Sequence, residues 1–240
     1  MEALEIKYSF HFSGNRFESF LLKLSPVTLE QLDPPKIDLP EWTRLDYQKC
    51  PHCPLDSKEH PYCLAAKNLI GLVGAFAHVI SHEPVNLEVV TVDRKVIEKT
   101  TAQRAIGSLL GLLLSTSGCP HTAYFKPMAR FHLPLASPEE TIFRATSMYL
   151  LAQYFLWNDG KNVDHDLIGL TKIYKNLHIL NISLAKRLRT ATSKDSSINA
   201  VIVLDVFTHT LPMMIEKQLE SIRPLFKSYL SADAAEDPGG

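Results

Sequence analysis

Four cysteines carry the most specific chemical signal in this 240-residue chain: Cys50, Cys53, Cys63 and Cys119, spaced C-x2-C-x9-C-x55-C. The Cys50/Cys53 pair puts two thiolates on one tight turn, where both can reach one metal or one cluster. Cys63 stands just before an expected helix, whose free amides favour a thiolate. Cys119 stands just after another. If those two helices run antiparallel, the start of one meets the end of the other and four sulfurs can converge. Four thiolates serve either tetrahedral zinc or an iron–sulfur cluster. Zinc sites favour two paired CxxC units, and this chain has one pair and two singles. Three near cysteines and one distant one, three of them followed by proline (Pro51, Pro54, Pro120), favour a [4Fe–4S] cluster, with zinc as the alternative. Taken singly, Cys63 or Cys119 also fits a small buried hydrophobe.

His52, His60 and His121 lie near these cysteines in sequence. One of them could replace a thiolate and leave an open metal position, although loop surface or a supporting role around the centre is the commoner use. The segment 118–135 (GCPHTAYFKPMARFHLPL) adds Lys126, Arg130 and His132 among aromatics. It is a candidate lining for an anionic-ligand pocket, set against a plain reading as a proline-rich crossing loop. Asp205 and His209, one helical turn apart, could form a carboxylate–imidazole pair, but an ordinary i,i+4 contact explains the spacing as well. Phosphate-binding glycine loops, HExxH, GxSxG and the zinc-deaminase signature are absent from the sequence. The sequence therefore points to a metal centre without identifying a reaction.

The elements that must position these residues follow from periodicity. Leu4–Leu24 alternates as a β-hairpin about Ser13–Arg16, and Val85–Thr100 reads as a second hairpin turning near Asp93-Arg94. Between them, 41–62 has no apolar period and carries three cysteines. A loop that long needs something to organise it, which is a second argument for a metal. Ala65–Ser81 and Ala102–Ser117 read as apolar helices, and 120–135 as irregular. Ser137, Pro138 and Glu140 announce a capping box and the start of a helix whose apolar residues run nearly all round, as a central buried helix requires. Asp164 or Asp166 can cap a long helix to about Arg189, with Leu167, Leu170, Tyr174, Leu177, Asn181, Leu184 and Leu188 as its seam. Lys186–Arg189 reads as a basic cluster at a helix C-terminus. A last helix, kinked at Pro212 and Pro224, runs from about 195–197 to Leu230. The expectation is an α+β fold, two hairpins forming a small antiparallel sheet packed on about five helices. It forms one domain over 1–230, with the Cys-rich loop at 41–63 and a disordered tail at 231–240.

Composition bounds the partners. Lys and Arg number 25 against 26 Asp and Glu, so nucleic-acid binding as a main activity is disfavoured. The start of the chain lacks the pattern of a secretory signal, and the longest apolar stretches fall short of a bilayer span. A cytoplasmic setting is expected, where structural disulfides are rare. The partner, a protein or a small molecule, is not specified by the sequence.

The motifs CPHCPL (50–55), Cys63, SGCPH (117–121) and PMARFHLP (127–134), with the opening hairpin and YLLAQYF (149–155), resemble an uncharacterised family of conserved bacterial proteins. The resemblance covers most of the chain. It implies a bacterial cytosolic protein and transfers no catalytic role to any residue. The expectation is a cytosolic four-cysteine metal-centre protein acting in redox sensing or regulation. The alternatives are a metal-dependent enzyme with a pocket by 119–134 and a zinc-stabilised interaction module.

Overall fold

The computed structural model describes residues 2–32, 38–191 and 219–231. Strands β1 (Leu4–Phe12), β2 (Phe17–Leu24), β3 (Pro84–Thr91) and β4 (Lys95–Thr101) form one antiparallel sheet in the order β2-β1-β3-β4. Gly14 and Asn15, both with positive φ, close the first hairpin. Register pairs Tyr8 with Phe20 and with Val89. One face therefore gathers Ile6, Tyr8, Phe10, Phe12, Leu22, Leu24, Val85, Leu87 and Val89, all buried. The period-2 alternation seen in β1 is what sends these residues to one side.

The helices are α1 (Leu64–Lys67), α2 (Ile70–Ala75), α3 (Ala102–Ser115), α4 (Lys126–Arg130), α5 (Pro138–Asn158), α6 (Ile168–Ala191) and α7 (Lys227–Leu230), and α1, α2, α3, α4 and α6 contribute to the core that covers that face. The architecture is α+β, as expected. Phe76 closes the core over the sheet, with its ring centroid 4.8 Å from that of Phe10 and 5.7 Å from that of Phe20.

Several elements differ from the sequence reading. The helix expected over 65–81 is two short pieces, broken at Asn68–Leu69, where the Asn68 amide donates to the Leu113 carbonyl of α3 at 2.7 Å. A polar anchor to a neighbouring helix thus takes precedence over local periodicity. The irregular 120–135 segment contains a 3-10 turn and α4. Helix α5 is not a central buried helix. Ile142, Ala145, Thr146 and Gln153 are buried, whereas Leu150, Leu151, Tyr154, Phe155 and Trp157 are exposed. The expected kink at Pro224 is a 3-10 segment, Arg223–Phe226, leading into α7. Pro212, Asp205, His209 and the tail beyond Ser231 lie outside the described residues.

Two helix starts match expectation. The Ser137 hydroxyl accepts from the Glu140 amide at 3.1 Å, and the Glu140 carboxylate accepts from the Ser137 amide at 2.7 Å, which completes the capping box. Asp164 accepts from the amides of Ile168 and Gly169 at the start of α6. Ser137→Ala is expected to cost about 1 kcal/mol, read as a fall of about 2–4 °C in thermal midpoint for a chain of this size. An unchanged midpoint would mean that the α5 start is held by tertiary packing alone.

Candidate metal centre

The Cys-rich loop lies in the crossover from β2 to β3. Its base is clamped by backbone pairing: the Leu45 amide donates to Pro61 at 2.9 Å and the Cys63 amide donates to Thr43 at 2.8 Å. Within it the Cys53 amide donates to the Cys50 carbonyl at 3.0 Å, forming the tight turn a CxxC unit needs. Cys63 is the residue preceding α1. Cys119 follows the end of α3 through Gly118, whose φ of +80° lets the chain turn back there. A Cβ on Gly118 would sit 3.7 Å from the Leu64 side chain, so the start of α1 and the end of α3 do meet.

All four cysteines are free thiols. They are electrostatic neighbours: Cys50 is coupled to Cys53 and Cys63, and Cys119 to Cys63 and Cys50. Burial, reinforced by these like-charge neighbours, pushes the Cys50 thiol up, while the Ser183 hydroxyl and the Arg187 charge act the other way. Burial likewise pushes Cys119 up to about 11, with the nearby backbone amides of His121 and Thr122 acting the other way. Among the described residues, no three His, Cys, Asp or Glu side chains are gathered closely enough to hold one metal ion as they stand.

One face of α6 holds the loop in place. His52 Nε2 lies 2.9 Å from the Asn176 carbonyl. Ser183 reaches Cys50. Arg187, 1 % exposed, donates to the carbonyls of Trp42 at 2.8 Å, Arg44 at 2.6 Å and Leu45 at 2.9 Å. Positions 176, 183 and 187 recur at steps of seven and four, which is one stripe of a helix. Arg187 stands in the basic cluster expected at the C-terminal end of this helix, but its side chain is spent on the loop carbonyls. The usable signal was its place one residue before seam position Leu188.

The histidines divide. His52 and His121 stack with ring centroids 3.9 Å apart, and His121 Nε2 lies 3.0 Å from the His52 carbonyl, joining the Cys50–Cys53 turn to the segment after Cys119. His60 closes a separate turn through its amide, on the Asp56 carbonyl. The basic residues of 118–135 do not converge. Lys126 is 3.7 Å from Glu30, and Arg130 lies over the Phe131 ring. His132 is in a different place: its Nε2 is 2.6 Å from the Tyr8 hydroxyl, itself 2.9 Å from the Ser108 hydroxyl. His132 also borders a cavity of about 280 Å³, which neither Lys126, Arg130, His121 nor any cysteine lines.

His132 carries a pH consequence. Burial, with a smaller contribution from the Arg144 charge, pushes its pKa down from 6.5 to about 4. The folded state therefore refuses a proton that the unfolded chain accepts between those values. The stabilisation is complete above pH 6.5 and is lost as pH falls toward 4, with a total on the order of 3 kcal/mol. His132→Gln is expected to flatten the stability–pH curve in that window. Denaturant unfolding at pH 7, 5.5 and 4.5 reads it, and a variant curve parallel to the wild type would contradict the assignment.

The fold defines an α+β protein in which a cysteine-bearing crossover loop, the start of α1 and the end of α3 come together. The chain belongs to the family described as a domain of unknown function (DUF6901), whose profile matches residues 6–227. No curated protein and no solved structure matches it.

Proposed function

We propose that Cys50, Cys53, Cys63 and Cys119 ligate an iron–sulfur cluster of the [4Fe–4S] type and that the protein acts in redox sensing or regulation. The observation that supports this reading is that four free cysteines come from three parts of the chain that the fold brings into contact: the start of α1 meets the end of α3, and His121 ties the segment after Cys119 to the Cys50–Cys53 turn. Neighbouring thiolates repel one another, and a cationic centre among them removes that repulsion. The spacing favours a cluster over zinc. Zinc sites favour two paired CxxC units, whereas this chain has one pair and two single cysteines.

The surroundings suit a tuned redox centre. The backbone amides near Cys119, the Ser183 hydroxyl near Cys50 and the buried Arg187 charge are the kinds of group that set a cluster's potential. Since the loop over 41–63 docks on α6 through the same residues, loss or oxidation of the cluster would alter the loop's seating, and a protein partner could read that change. This reading puts the protein in the cytoplasm, where thiols stay reduced. It agrees with the finding that no helix among the described residues is long and apolar enough to cross a membrane.

The test is exposure of anaerobically prepared protein to air and to reductant, followed by visible absorption and by proteolysis within 41–63. The sensing role expects spectrum and cleavage to change together. A spectrum that changes while the loop stays equally protected would rule out signalling through the loop. A colourless zinc protein whose loop opens on chelation would replace the cluster with the structural-zinc reading.

A further inference from the structure

The cavity beside His132 stands apart from the cysteines, and its construction has a direction. Its roof is α3, where Gly107 and Gly111 stand one turn apart. A Cβ on either would meet nothing within 4 Å. Glycine inside a helix is locally unfavourable by about 1 kcal/mol, and here the two glycines leave space open. The remaining walls are largely apolar, with Leu112, Met128, Leu135 and Leu177 among them. A volume of about 280 Å³ holds on the order of ten heavy atoms, taking each as roughly the 30 Å³ of a liquid water.

A cation enters this apolar space from α5. Arg144 lines the cavity and donates to the carbonyls of Met128 at 3.1 Å and Phe131 at 2.8 Å. Both bonds use Nη2. Among the described residues no carboxylate lies within ion-pair distance of its guanidinium. The acid one turn earlier, Glu140, is committed to the Ser137 amide at 2.7 Å. A half-buried guanidinium held in place by backbone carbonyls and facing an apolar chamber is the arrangement that receives a carboxylate.

We propose that this cavity is a binding site for a medium-chain aliphatic carboxylic acid, with the carboxylate on Arg144 and the chain along the glycine face of α3. The site needs no metal, so it stands or falls independently of the cysteine centre. Charge recognition and chain recognition come from different residues and separate by mutation. Arg144→Gln removes the charge and leaves a shorter polar side chain that no longer reaches the two carbonyls. Gly107→Leu fills the chamber and improves helix propensity.

The experiment is calorimetric titration of the full chain with decanoate, decanol and acetate below their aggregation limits, with thermal unfolding as the check on folding. Wild type is expected to bind decanoate at least about tenfold more tightly than decanol and to give no signal with acetate. Arg144→Gln should bring decanoate down to the decanol level, and Gly107→Leu should abolish both with an undiminished unfolding temperature. No binding of decanoate by wild type would overturn the proposal. So would equal affinities for decanoate and decanol, or unchanged decanoate binding by a folded Gly107→Leu protein.

Discussion

Alanine at Cys50, Cys53, Cys63 or Cys119 is expected to remove the cluster, taking iron and acid-labile sulfide from one centre per chain to near zero in each single variant. The reason is cooperative ligation: a cubane missing one thiolate exposes an iron to solvent and falls apart. The effect on the apoprotein should be unequal. Cys119 is 8 % exposed and packed in the main core, whereas Cys50, Cys53 and Cys63 are only partly buried. Cys119→Ala should therefore also lower apoprotein stability measurably, and Cys53→Ala should barely touch it. His52→Ala provides a control, since it breaks the stack with His121 without removing a sulfur. It should retain the cluster and change its stability in air. Iron and sulfide analysis on the five variants reads the ligand set, denaturant unfolding of the apoproteins reads their stability, and loss of visible absorption in air reads the His52→Ala effect. Full iron retention by Cys119→Ala would remove that residue from the ligand set.

Arg187→Met is expected to have the largest effect on the loop. It keeps the packing of the aliphatic stem but leaves the carbonyls of Trp42, Arg44 and Leu45 without the donor that joins all three. Each is a charge-assisted bond in a buried place, and their joint loss should cost on the order of 3–5 kcal/mol. Because Arg187 also lowers the cost of a thiolate at Cys50, the variant should bind metal more weakly even where it remains folded. Arg187→Lys should recover part of the stability, since one ammonium cannot reach three carbonyls in the guanidinium geometry. Chemical denaturation with metal titration separates the two effects. A Met variant as stable as wild type would show that the loop is held by its own base pairing, Leu45 to Pro61 and Cys63 to Thr43.

Arg187 also marks the limit of what the sequence reveals. Both hairpins, the capping box at Ser137 and the seam of α6 are local patterns, and the folded chain follows them because each places its apolar residues against the same sheet or helix face. The meeting of the end of α3 with the start of α1 was legible too, because Gly118 and Pro120 end α3 and turn the chain back. What local pattern could not show is which long-range polar anchor wins. Asn68 breaks the helix expected over 65–81 by reaching Leu113. Arg187 organises the 41–63 loop, so the argument that only a metal could order so long a loop loses its force, and the case for a centre rests on the thiols themselves. The exposed side of α5 defeated its apolar composition for a similar reason, since periodicity reports what a helix could bury and not what is placed against it. His132 was legible as part of an unusual segment, but its partner Tyr8 is 124 positions away. Arg144, within an apolar run, gave no sign that it borders a chamber.

The most direct test of the four-cysteine centre is metal and acid-labile sulfide analysis of protein purified without oxygen, taken with its visible absorption spectrum. The account predicts a brown protein with iron and sulfide in equal amounts and close to four of each per chain, the content of a [4Fe–4S] cluster. A colourless protein with neither iron nor zinc, whose four thiols all titrate freely in the native state, would contradict it.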